Sequence, residues 1–398
     1  DVYNTAVGAF AGEKITTGVN NTLIGGLAGD ALTTGTDNDA IGVSALSSDT
    51  AGNRSTAIGR GTLNAQNFTT STSVYNVAVG YLAGLSVTTG VQNTLIGGLA
   101  GDALTTANNN TSLGYATLSA ACGNQNTALG SQSLFATTGT DNTAVGYAVG
   151  FAVTSGIRNT LIGSLSGDAL TDADFNVAVG YAALTSDTLG SRSTALGFAA
   201  LETQNFTTAT DTYNVAVGHA AGTKVTTGVR NSIIGGLAGD ALTVGGNNVT
   251  MGYASLSLDT KGSGSVAIGA GALNVQNFTT ATTTHNTAVG LDAGKAVTTG
   301  TDNTLIGSLS GDAITDGNTN TAVGSFALTT NQRGDRNTAI GHEALKTLNP
   351  SGDADTYNTA VGYQSGKAVT TGTVNTLIGS LSGDALTTGE ENTAVGYQ

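Results

Sequence analysis

Tryptophan is absent from this 398-residue chain, proline and cysteine each occur once, aromatics make up 5% and charged residues only 10%. Each shortage excludes something. The single Cys122 rules out an intrachain disulfide framework and reads as a small residue at a turn. Few aromatics rule out a thick globular core and leave a thin one of small aliphatics. Lys and Arg number 13 against 27 Asp and Glu, a net charge of −14. Nucleic acid is therefore not an expected partner, because a phosphate backbone needs clustered cations. Unbroken apolar runs are a few residues long, so no membrane insertion is expected. No stretch of ten residues combines helical period with caps. The chain opens at Asp1 rather than Met, without a signal-peptide pattern, and is expected to be a segment of a longer fibre.

What the chain has is repetition. The unit Asn4-Thr5-Ala6-Val7-Gly8 returns in variant form 23 times, with glycines at 8, 25, 42, 59, 80 and onward to 396. Spacings of 17, 17, 17 and 21 make a four-coil superrepeat of 72 residues; one copy, from Gly80 to Gly146, is shortened to 66. The superrepeats fall at about 1–72, 73–138, 139–210, 211–282 and 283–354, with a partial one at 355–398. A fixed short period over a whole chain means that each unit buries its apolar face against its neighbours. The class is an all-β, repetitive parallel β-solenoid of about 17 residues per coil, one continuous shaft from 1 to 398. At about 4.8 Å per coil, it would span about 110 Å.

Position by position, the unit carries roles. The residue before each glycine is always apolar, so Val7, Ile24, Ile41 and Ile58 read as structural core on a short strand of period two. Two residues before the glycine the site varies (Ala6, Leu23, Ala40, Ala57). Four before it stands Asn in 20 of 23 copies; Ser55, Ser193 and Ser265 are the exceptions. Asn4, Asn21, Asn38, Asn76 and Asn93 read as an amide ladder. A second strand is expected after the glycine. There the fourth position reads Gly12, Gly29, Leu46, Leu63, so bulk shifts between layers. Turns such as Thr16-Thr17-Gly18 are assigned a glycine at positive φ. Two or three aliphatics per coil return less free energy than ordering 17 residues costs. A second buried face against other copies, at the variable Ala6, Leu23, Ala40 and Ala57 site, would close the gap. The expectation is a homotrimer.

Asn358-Thr359-Ala360-Val361-Gly362-Tyr363-Gln364-Ser365-Gly366 and Asn337-Thr338-Ala339-Ile340-Gly341-His342-Glu343-Ala344-Leu345 resemble the trimeric β-roll head and shaft repeats, of NTAxGxxAL type, in phage tail fibres and trimeric autotransporter adhesins. The resemblance covers essentially the whole chain. It implies a homotrimeric left-handed parallel β-roll, used as a rigid shaft or a host-binding head. The 17-residue spacing is longer than the simplest adhesin coil, and none of these 398 residues reads as a chaperone domain, stalk or anchor. A monomeric left-handed β-helix of hexapeptide repeats is the structural alternative, since Ile24-Gly25-Gly26-Leu27-Ala28-Gly29 fits its pattern.

Little here points to chemistry. His219, His285 and His342 sit at unrelated phases, without Cys or His at metal spacing. No Ser-His-Asp set can be assembled, so no catalytic, metal or cofactor residues are assigned. The recurrent Gly-Asp-Ala-Leu segment, with Asp30, Asp102, Asp168, Asp240, Asp312 and Asp384, reads as Asp bonding turn amides rather than an axial cation site. The 21-residue coils carry a loop, Gln66-Asn67-Phe68-Thr69-Thr70 and its copies at 204–208 and 276–280; the copy at 348–352 has diverged around Pro350. Loops on a rigid scaffold concentrate recognition. Phe68, Phe206 and Phe278, with Tyr75, Tyr213 and Tyr357, are the candidate contacts for a surface glycan or receptor; the competing reading folds each Phe back over its loop.

The expected function is a non-enzymatic fibre shaft with an attachment role, extracellular on a virion or cell surface: first a phage tail fibre segment, then an adhesin head. A self-assembling filament, stacked end to end, is a further reading, because Val2-Tyr3-Asn4 opens at the phase of Val74-Tyr75-Asn76. Ice binding is the weakest reading, because a Thr-x-Thr strand in every coil is missing.

Overall fold

A computed structural model describes residues 3–398. Asp1 and Val2, and with Val2 the phase match at the chain start, lie outside the described residues. Among those residues there is no helix, and each repeat makes one turn of a parallel β-solenoid. A three-residue strand ends one residue before each repeat glycine, as in Thr5–Val7, Thr22–Ile24, Asp39–Ile41 and Thr56–Ile58. Strands pair in parallel with identical positions of the next turn: Thr5 with Thr22, Ala6 with Leu23, Val7 with Ile24. The chain divides into two compact units, Asp1–Ser193 with Asn205–Thr210, and Thr194–Gln204 with Asp211–Gln398. Eleven of these strands, Thr5–Val7 through Val177–Val179, belong to the first unit, and twelve, Thr194–Leu196 through Thr393–Val395, to the second.

The repeat glycine is dictated by stacking. Gly8 has φ +133°, and a Cβ there would lie 2.6 Å from the carbonyl oxygen of Gly25 in the next turn. Any side chain would therefore push two turns apart, while the backbone itself sits where L-residues are disfavoured. The Gly25 amide donates to the Val7 carbonyl at 2.8 Å, so the close approach is also a hydrogen bond.

The second strand expected after the glycine does not form. Residues 8–15 instead run as successive turns, with the amides of Ala11, Glu13 and Ile15 donating to the carbonyls of Gly8, Phe10 and Gly12. Alternate residues, Phe10 and Gly12 here, take left-handed φ of 61° and 59°. Their amides, and others in the segment, reach the neighbouring turn: Gly12 donates to Ala28 at 3.0 Å and Leu27 to Ala9 at 2.9 Å. Two-residue parallel bridges appear only beside the long loops, as between Gly52–Asn53 and Thr72–Ser73. The turn glycines Gly18 and Gly35 also depart from expectation, since neither has positive φ. They are glycine because a Cβ on Gly18 would collide with the carbonyl of Gly35, and one on Gly35 with that of Gly52.

The expected core is inside out. Val7, Ile24 and Ile58 are 58%, 38% and 37% exposed and Ile41 is half-buried, whereas Leu23, Ala40 and Ala57 are fully buried. Period-two alternation fixes which residues share a face but not which face is internal. The interior admits mostly Ala from the strand, with a larger aliphatic in one turn of four. The Ala6, Leu23, Ala40 and Ala57 column therefore cannot be a seam between copies; only Ala6, in the first turn, is exposed.

This narrow interior explains the alternation Gly12, Gly29, Leu46, Leu63. Leu23 sends its two methyls to within 2.7 Å of the Cβ position of Gly12 and 2.8 Å of that of Gly29. Leu95 does the same to Gly84 and Gly101, both at 2.8 Å. One large strand residue thus requires glycine in two turns. The next two turns have Ala40 and Ala57, and Leu46 and Leu63 fill the vacated space, fully buried. Those leucines hold φ of 54° and 46°, which costs an L-residue about 1–2 kcal/mol.

Leu95→Ala should destabilise by about 2–5 kcal/mol, and Gly101→Leu alone by about 1–3 kcal/mol. Combined, they should cost at least about 1 kcal/mol less than the sum, read as urea midpoints and amide exchange in the adjoining turns. An additive double variant would refute this account of the packing.

Candidate functional site

The asparagine column is a ladder built from side chain to main chain. Asn4 Oδ1 accepts from the backbone N–H of Asn21 at 2.9 Å, and Asn21 Oδ1 accepts from that of Asn38 at 3.0 Å. Each Nδ2 donates to a carbonyl 14 residues on, Asn4 to Gly18, Asn21 to Gly35, Asn38 to Gly52, at 2.8–2.9 Å. Asn76 and Asn93 repeat the pattern, and all but Asn4 of these five are buried.

The serine exceptions mark where the long loop leaves the coil. Ser55 Oγ accepts from Gln66 Nε2 at 2.9 Å, and Gln66 Oε1 accepts from Asn76 Nδ2 at 2.9 Å, so glutamine relays the ladder across the insertion. Gln66 Nε2 also donates to buried Asp49 at 2.6 Å. The other oxygen of Asp49 accepts from the amides of Gly52 and Phe68, at 3.1 and 3.0 Å. Asp259, Gln276, Ser265 and Asn286 form the same set. Asp187 likewise holds the amides of Gly190 and Phe206, and Gln204 accepts from Asn214. In the diverged copy, Pro350 has no N–H to offer. There Asn331 replaces the aspartate, Leu348 the glutamine, and Asn337 regains the ladder position, accepting from the Asn358 amide at 3.2 Å.

These anchors correct the loop hypothesis. Phe68, Phe206 and Phe278 are buried, 9%, 6% and 7% exposed, and cannot present rings to a glycan or receptor. The loop turns its phenylalanine inward because its amide is held by a buried carboxylate. Tyr75, Tyr213 and Tyr357 are half-exposed, each at a left-handed position just before its Asn. Tyr75 lies under the Arg54 guanidinium, 5.6 Å from the ring centre, and its hydroxyl accepts from Arg54 at 3.0 Å. Arg336 holds Tyr357 in the same way, at 5.5 and 2.9 Å, and Tyr213 donates to Asp211. Arg158 and Arg192 flank Phe175 at 5.6 and 5.1 Å. This column fastens turn to turn with cation–π contacts.

Titratable groups are dispersed. No group of three or more His, Cys, Asp or Glu able to hold a metal occurs among the described residues. His219 stacks on Phe198, His342 on Tyr363, and His285 meets Asp302 at 3.2 Å. Burial pushes the Cys122 thiol up to about 12, which makes it a poor nucleophile. Asp168, Asp240 and Asp312 each accept from a hydroxyl of the next turn (Thr185, Ser257, Thr329), and burial raises the Asp312 carboxyl above its ordinary value. Glu343 accepts from Lys346, Lys367 and Gln364 at 2.6–2.8 Å, which lowers its carboxyl to about 2. Among the described residues, no helix is long and apolar enough to cross a membrane.

Two outward lanes remain, and the sequence reading missed both. The first is the aliphatic residue before each glycine, which the strand pairing aligns turn upon turn: Val7, Ile24, Ile41 and Ile58 in one stretch, Leu113, Leu129, Val145 and Ile162 in another. The second is the residue after the glycine. In the first unit it reads Ala9, Gly26, Val43, Arg60, Tyr81, Gly98, Tyr115, Ser131, Tyr147, Ser164 and Tyr181, with the four tyrosines each more than half exposed. The Tyr115 ring leans over Gly98, with Cδ2 3.7 Å from where a Cβ would be. Along this stretch aromatic and small residues alternate, whereas rings in successive turns of the same column stack where they occur, His219 on Phe198 and His342 on Tyr363. The signal was visible in the sequence as an alternation of aromatic and small residues after the glycine.

No protein-family model matches the chain, and no curated protein is significantly similar to it.

Gln276→Ala should strand Asp259 and Asn286 inside the protein, costing about 1–3 kcal/mol. Limited proteolysis should then cut first within residues 277–283 while the 66–73 loop stays intact; equal cutting of both would refute the anchor. The depressed Glu343 carboxyl adds stability that is present above its unfolded value near 4.5 and is lost as pH falls through about 2. The destabilisation caused by Glu343→Gln should therefore vanish between these pH values in denaturation titrations, whereas a pH-independent loss would point to packing alone.

Proposed function

We propose that this chain is a non-enzymatic fibre shaft that associates with parallel copies of itself, in a homotrimer, and serves attachment on a virion or cell surface. A phage tail fibre segment is the leading form of this reading and an adhesin head the second. The observation that carries it is the outward aliphatic lane. Eleven turns at about 4.8 Å give the first unit a stripe about 50 Å long. At the width of one three-residue strand, about 10 Å, that stripe covers roughly 500 Å². This matches the largest patches that monomers leave exposed, which are often functional, and is over half of the roughly 800 Å² per partner of a standard interface.

The seam this reading requires is thus the Val, Ile, Leu and Met column, not the Ala column. In the first unit the residue at the start of each strand is Thr or Val except for the exposed Asp39, and Thr94, Thr111, Thr127, Thr143 and Thr160 are uncharged and only partly exposed. Parallel alignment matches this periodicity, because identical lanes of period one turn meet without a register penalty. An enzyme is disfavoured because each turn presents nearly the same chemistry.

Sedimentation of the full chain should give three times the 39.0 kDa monomer mass. Ile96→Asp with Ile162→Asp should yield folded monomers, because charges placed in a buried seam are costly. A wild-type chain that stays monomeric at high concentration would overturn the reading.

A further inference from the structure

The tyrosine lane meets the requirements for holding a polymer. Tyr81, Tyr115 and Tyr147 stand one residue after the repeat glycine in alternate turns, each more than half exposed. None stacks on another ring among the described residues. At about 4.8 Å per turn they recur every ~9.6 Å. Each is separated from the next by Gly98 or Ser131, so the lane is a row of platforms divided by low ground. The Tyr115 ring lies over Gly98, its Cδ2 3.7 Å from where a Cβ would be. No acidic or basic residue occupies the lane from Tyr81 to Tyr147.

We infer that this lane binds a neutral, extended, β-linked polysaccharide lying along the solenoid. An aromatic face is negative, and the C–H bonds on one face of a pyranose are its natural partners. Phenol hydroxyls at the ring ends can exchange hydrogen bonds with sugar hydroxyls. Platforms at a fixed period match a ligand that is itself periodic, and weak contacts add through multivalency. Charge selects among stacking polymers. The stretch from Tyr81 to Tyr147 holds no cation, Arg60 standing at its edge one turn before Tyr81, and a chain of net charge −14 disfavours single-stranded nucleic acid and acidic glycans alike. This inference rests on the attachment reading and gives it a ligand class. The lane is separate from the aliphatic column, so binding and assembly can fail independently.

The test uses the full chain and microcrystalline cellulose, chitin and alginate as probes, in pull-down and affinity electrophoresis. Wild type should be retained by at least one neutral polymer and not by alginate. The triple variant Tyr81→Ser, Tyr115→Ser, Tyr147→Ser should lose retention by about tenfold or more, with its sedimentation mass and circular dichroism unchanged. Tyr75→Ser, outside the lane, should bind as wild type does. Absence of retention on both neutral polymers, or unchanged binding by the triple variant, overturns the inference. Loss of the oligomer in the triple variant also overturns it, by making the tyrosines the rim of the seam. A monomeric wild type that binds the neutral polymers in a tyrosine-dependent way would sink the trimer and leave this inference standing.

Discussion

Each turn of this protein is locked to the next by one buried carboxamide. The asparagine oxygen takes the backbone N–H of the following asparagine, and its nitrogen takes a carbonyl 14 residues on, at distances near 2.9 Å. Both bonds are buried, and a missing member would leave unpaired polar groups where water cannot reach them. That requirement sets the register of the strands, and the register stacks glycine on glycine with no room for a Cβ. Repetition of the sequence follows from repetition of this joint. Where the joint must stretch over the 21-residue turns, the chain has exchanged Asn for Ser and recruited a Gln to bridge the gap.

The copies inside the chain act as controls for one another. Asp49, Gln66, Ser55 and Phe68 occur together, as do Asp259, Gln276, Ser265 and Phe278. When proline removes the amide that the aspartate would hold, at Pro350, the aspartate, glutamine and serine are replaced together. In the shortened superrepeat the loop is gone, Ala121 and Thr137 stand at the anchor positions, and Asn126 keeps the ladder direct. The polar cluster is therefore part of the loop and not a site of its own. This explains why buried carboxylates recur in the interior one at a time, with no group of three or more His, Cys, Asp or Glu able to hold a metal among the described residues.

The solenoid, its period and the ladder were legible because each depends on positions that repeat, and repetition is visible in a single sequence. The inside and outside of the strand were not legible. Thr-Leu-Ile and Thr-Ala-Val alternate perfectly well in either sense. Hydrophobicity points the wrong way here, since the larger and invariably apolar residue, Ile24 or Val7, faces out. The misleading assumption was that an invariably apolar position must be internal. This interior is too thin for a large aliphatic in every turn, and Leu23 fits only because Gly12 and Gly29 clear space for it. The turns after the glycine were illegible for a related reason. Leucine at left-handed φ, as at Leu46 and Leu63, runs against local preference and is held there by contacts between turns.

The inversion also changes what the invariance of the residue before the glycine means. Within one chain, a half-exposed position has little reason to be Val, Ile, Leu or Met in all 23 turns, because polar side chains would be tolerated at the surface. The internal site is more permissive, accepting Ala57, Leu23, Ile233, Ser112 and Thr250. On the proposed reading, a position more restricted outside than inside is constrained by a surface beyond the chain. In the proposed assembly the faces are exchanged from those expected from the sequence: the small, variable residues close the solenoid, and the uniform aliphatic lane is the surface that copies would cover.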